Sequence, residues 1–84
     1  MNYQYFNEKL VGRNAKSKKL ANNTYCIRNE DSIGIRLHQT NVITYFPNGR
    51  VVLNSGGYKT ATTKDRINQF SPFRINQDKG IWYV

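Results

Sequence analysis

Three apolar residues near the start of the chain, Tyr3, Phe6 and Leu10, are spaced three and four apart. That spacing lines one face of a helix and predicts a short helical segment, which at this length needs tertiary support. Gly12 is expected to end it. From Thr24 the period changes to two. Tyr25 and Ile27 alternate with Cys26 and Arg28, and after the turn-forming run Asn29, Glu30, Asp31 and Ser32, the residues Ile33, Ile35 and Leu37 alternate with Gly34, Arg36 and His38. Such alternation predicts strands with one buried and one wet face. Residues 41–46, NVITYF, predict a strand that is apolar on both faces.

Pro47-Asn48-Gly49 reads as a hairpin turn that returns into a strand over residues 50–53. Ser55-Gly56-Gly57 makes a further reversal, with a short strand expected over 58–61. Thr62 is expected to cap a helix near 63–70, with Asp65 where a capping box prefers Glu. Ile67 and Phe70 would form its buried side and Ser71-Pro72 its stop. Residues 73–84 read as a second hairpin turning at 78–80. Phe46, Phe70 and Trp82 are the aromatic candidates for the core.

These elements predict an α+β fold: a small, mostly antiparallel sheet of five or six strands with one or two short helices. No connection is long enough for repeated helical crossovers. With 84 residues the chain supports a single domain, 1–84, and one modest core. Residues 1–23 read as a short helix plus a basic loop, and residues 24–84 as the β-rich body.

Charge changes the picture more than composition does. The net charge is +8, and each half of the chain carries +4. A basic folded surface, rather than a basic tail, is expected to attract polyanions through counterion release. Excess charge for solubility is the competing explanation. The densest local cluster is Arg13, Lys16, Lys18 and Lys19, with no acid among them.

Chemistry-bearing residues are few. Cys26 is the only cysteine and His38 the only histidine. That excludes an intramolecular disulfide and a cysteine-rich zinc site, so no metal or cofactor is expected. Five acids offer little material for carboxylate catalysis, and no acid is obviously paired with His38, so the expected function is not enzymatic. No long apolar run is present, so neither a signal peptide nor a membrane span is expected.

The run VVLNSGGYKTATTKDRIN is the most organised stretch of the chain. A nucleotide-triphosphate loop needs Gly, four residues, then Gly-Lys-Ser/Thr, and here Tyr58 separates Gly57 from Lys59. A weaker possibility is that Thr62, Thr63 and Lys64 hold a single phosphate at a helix start. Plain capping explains them equally well. The aromatics, six Tyr, four Phe and one Trp, exceed what a small core needs and could form a stacking or docking face.

At KLANNTY, at IRLHQTNVITYFPNGRVVLNSGGYKTATTKDRIN and at the terminal GIWYV, the chain resembles a family of small bacteriophage and prophage proteins. The family pattern runs LANNT, LHxT, an aromatic-x-Pro-x-Gly turn, then LNSGG-aromatic-xTxTTKxRIN. Leu20 to Thr24, Leu37 to Thr40, Phe46 to Gly49 and Leu53 to Asn68 match it. Tyr58 departs from the family's usual Trp. The resemblance implies a phage origin and an accessory role in the host bacterial cytoplasm.

The expected function is nucleic-acid binding, mainly by phosphate contacts. The candidate residues are Arg13, Lys16, Lys18, Lys19, Arg36, Lys59, Lys64 and Arg66, with Thr62 and Thr63 at the helix start and His38 and Tyr58 flanking a groove. The alternatives are an anti-CRISPR-like inhibitor that binds a nucleic-acid-loaded host protein, and a virion or assembly component.

Overall fold

The computed structural model describes residues 1–54, 61–78 and 81–83, the last two strands through their backbone. The expected α+β architecture is present. A five-stranded antiparallel meander, in the order β1-β2-β3-β4-β5, carries two short helices, and a separate two-stranded hairpin follows.

Helix α1 (Tyr3–Lys9) starts where the Asn2 side chain accepts a hydrogen bond from the Tyr5 backbone N–H at 2.9 Å. It buries Phe6, and Leu10, just past its end, is buried too. The helix stops before Gly12, whose φ of +59° opens a 3-10 turn over Gly12–Asn14.

Strand β1 (Ser17–Ala21) follows, and it corrects the expected basic loop. Residues 17–21 pair with β2 (Thr24–Arg28) across a two-residue turn, Asn22-Asn23, where Asn23 takes φ 53°. The charges of Lys18 and Lys19 disguise an edge strand, a position where lysines discourage pairing with other chains.

Strand β3 (Ile33–Leu37) pairs with β2 and with β4 (Thr40–Tyr45). Within β2 the buried side is Thr24 and Cys26, while Tyr25 is exposed. The sheet has two bulges. Leu20 is the extra residue in β1, and Val42 is the extra residue in β4. At each bulge two consecutive apolar residues turn to the core, Leu20 with Ala21 and Val42 with Ile43. This is why NVITYF reads as apolar on both faces although its open face is largely polar.

The turn 47–49 is closed by Gly49 N–H to Phe46 O and Arg50 N–H to Asn48 Oδ1, with only Gly49 at positive φ, 93°. It leads into β5 (Val51–Leu53), which pairs with β4. Tyr45 is buried and Phe46 is not, so Tyr45 takes the core place expected of Phe46.

Helix α2 (Ala61–Phe70) buries Thr63, Ile67 and Phe70. It already includes Ala61, so Thr62 lies in its first turn and is not its cap. The expected reversal at 55–57 and the residues 58–60 of the expected strand lie outside the described residues. The final hairpin pairs β6 (Asn76–Asp78) with β7 (Ile81–Tyr83), so Asp78 belongs to a strand. The side chain of Trp82, a candidate core residue, lies outside the described residues.

Both helices pack on one side of the meander, against β3 and β4. The core there is built around Tyr45. Its ring lies 5.2 Å from that of Phe6, and its hydroxyl donates to the backbone carbonyl of Phe70, so one side chain links α1, β4 and α2. Burial outweighs the nearby Arg28 and Lys18 cations at Cys26 and pushes its thiol up to about 11. Burial also raises the Tyr45 phenol.

Candidate functional site

The opposite side of the meander is built from two cross-strand rows. One runs Ser17, Ile27, Gly34, Thr44, Val52 over five strands, and the other runs Lys19, Tyr25, Arg36, Asn41 over four. Neither row contains an acid. Glu30 and Asp31 sit in the turn between β2 and β3, at the end of the sheet away from His38, and Glu8 and Asp65 are on the helices. Lys19, Tyr25 and Arg36 are all exposed, and Tyr25 is 40% accessible.

Between the rows lies a shallow depression of about 290 Å³, lined by Ser17, Tyr25, Ile27, Arg36 and His38. Local backbone chemistry shapes its upper end. His38 occupies the first place of the two-residue turn between β3 and β4 with φ 56°, a left-handed conformation that His accepts more readily than most residues. Its N–H donates to Asn23 O at 2.9 Å, so the β1–β2 and β3–β4 turns stand side by side. Its carbonyl accepts from Arg36 Nε at 3.0 Å. That bond fixes the guanidinium and leaves its Nη nitrogens without a partner among the described residues.

The sequence candidates therefore divide. Lys19, Arg36 and His38 meet on the open face, joined by Tyr25 and Ser17, which sequence reasoning passed over. The signal for Tyr25 was present: it shares the period of Lys19 and Arg36 once β1 is recognised as a strand. Lys18 is half-buried and pairs with Cys26 on the core side. Arg13 and Lys16 are exposed before β1. Arg66 lies on the helix-covered side, where its Nε donates to Thr24 Oγ1 at 2.9 Å. On α2, Lys64 is half-buried, Thr62 exposed and Thr63 buried. Tyr58 and Lys59 lie outside the described residues. The basic residues do not converge on a single face.

Arg28, not a candidate, is occupied structurally. Its Nε donates to Ala15 O at 3.1 Å and its Nη2 to Leu10 O at 3.2 Å, which caps the end of α1 with a cation. Among the described residues no group of three or more His, Cys, Asp or Glu is placed to hold a metal ion. No described helix is long and apolar enough to cross a membrane.

A family model, Kyanoviridae Gp96 protein, matches residues 4–84. The chain belongs to this family. The Gp96 family is a phage family, so the phage kinship read from the motifs is correct. The match takes in all of α1 but its first residue, all five strands of the meander, α2 and the final hairpin. Neither the curated proteins nor the solved structures contain a match to the chain.

Proposed function

We propose that this phage protein is a non-enzymatic nucleic-acid-binding protein that uses the open face of its sheet inside the host cell. One observation carries the reading: the row Lys19, Tyr25, Arg36, in which an exposed aromatic residue stands between two cations and neither cross-strand row of the face contains a carboxylate. Cations unpaired with acids release counterions when they meet phosphates, and a net charge of +8 adds long-range attraction. Phosphate contacts of this kind give affinity without sequence preference.

The test is a binding titration with labelled DNA and RNA at low and moderate salt. Binding that weakens steeply with salt, and weakens further in Lys19→Gln and Arg36→Gln, supports the reading. Absence of binding at low salt overturns it. Retention of a host protein through nuclease and high salt, with no nucleic-acid binding, favours instead an inhibitor of a host nucleic-acid effector.

A further inference from the structure

We infer that the open face takes single-stranded rather than duplex nucleic acid, with one base stacked on Tyr25 beside the depression and the adjoining phosphate on Arg36. This rests on the function proposed above and narrows its ligand. Three features of the face support it. Tyr25 is a cross-strand partner of Arg36 and of Lys19, so a base over the ring has a cation on either side for the phosphates that flank it. The depression, at about 290 Å³, falls just under the range that encloses a drug-sized ligand and has room for one planar group. Its lining combines the apolar Ile27 with the polar Ser17 and His38, a mixture of residue types that fits a base edge.

A duplex keeps its base faces stacked against one another and offers a tyrosine ring only phosphates and groove edges. An exposed tyrosine gains little from that, whereas stacking of a free base contributes about 1–3 kcal/mol. Arg36 is suited to the phosphate because its Nε is already held by the His38 carbonyl at 3.0 Å. The guanidinium is thus oriented before the ligand arrives, and its outer edge is left for two parallel bonds to phosphate oxygens.

The experiment is fluorescence anisotropy of the full chain with a mixed-sequence oligonucleotide, as single strands of DNA and RNA and as the corresponding duplexes. Three variants accompany it: Tyr25→Leu, Tyr25→Phe and Arg36→Gln. Both positions are exposed, and circular dichroism establishes that each variant is folded. The expected result is single-strand binding about tenfold tighter than duplex binding. Tyr25→Leu should lose about tenfold, Tyr25→Phe should retain wild-type affinity, and Arg36→Gln should flatten the salt slope by about 0.7. Equal affinity for duplex, or a Tyr25→Leu variant that binds single strands like the wild type, overturns the single-strand inference and leaves nucleic-acid binding standing. Failure of every oligonucleotide to bind at low salt overturns both.

Discussion

Arg66 donates its Nε hydrogen to Thr24 Oγ1 at 2.9 Å and thereby fastens α2 to the start of β2. Thr24 is fully buried, and its own hydroxyl donates to the Asn22 carbonyl at 2.8 Å. A residue with the sequence signature of a phosphate contact is therefore a structural clamp. Arg66→Gln is expected to lower stability by about 1–2 kcal/mol, as for a lost hydrogen bond to a charged donor that keeps some access to water. The same variant is expected to bind nucleic acid nearly as the wild type does. Urea denaturation and an anisotropy titration on one preparation check both halves.

Tyr45→Phe isolates the link between the sheet and α2. The ring and its contact with Phe6 survive, but the Phe70 carbonyl loses its donor in a buried setting. A cost of about 1–3 kcal/mol is expected. Denaturant melts read by circular dichroism should show a lower midpoint with an unchanged slope.

How much of this was legible beforehand depends on the element. Phe6, Leu10, Ile67 and Phe70 announced their helix faces by spacing, and Ile33, Ile35 and Leu37 announced β3 by alternation. β1 was hidden because Lys18 and Lys19 lie in it, and strand propensity scores such residues low. Its turn signal, Asn22-Asn23, stood in plain view, since asparagine is among the residues that tolerate φ 53°. Without β1 as a strand, the pattern does not assemble the open face. Lys19 and Tyr25 became partners only through the hairpin register. Likewise, nothing in one dimension separates Arg36, whose Nη nitrogens meet no partner among the described residues, from Arg28 and Arg66, whose guanidinium groups are held by acceptors on neighbouring elements.

Arg28→Met tests the anchoring of the N-terminal segment. Removing the guanidinium leaves the Leu10 and Ala15 carbonyls without their donor and takes a cation from the end of α1. Because Phe6 and Leu10 remain buried, the segment should loosen but not detach. Hydrogen exchange is expected to quicken across residues 3–14 while the amides of β3 keep their protection. Uniform acceleration along the whole chain would argue against a local clamp.

Alkaline pH should destabilise the fold through Cys26. Its folded thiol ionises near 11 against an ordinary value of 9.0, because burial disfavours the thiolate. Below pH 9 both states hold the proton and the stability is complete. Between about pH 9 and about pH 11 only the unfolded chain releases the proton, so stability falls by on the order of 2 kcal/mol. The raised Tyr45 phenol acts in the same direction at higher pH. Cys26→Ala should flatten the first part of that decline, as read by urea midpoints along a pH series.

The location of the interface is the central claim, and amide chemical-shift mapping tests it most directly. A nitrogen-15-labelled chain titrated at low salt with a single-stranded oligonucleotide should show its largest shifts at Ser17, Lys19, Tyr25, Ile27, Arg36 and His38. Residues Ile67 to Phe70, beneath the other side of the sheet, should remain still. Shifts centred on α2 with a quiet β1–β3 face would contradict the account, as would no shifts at all.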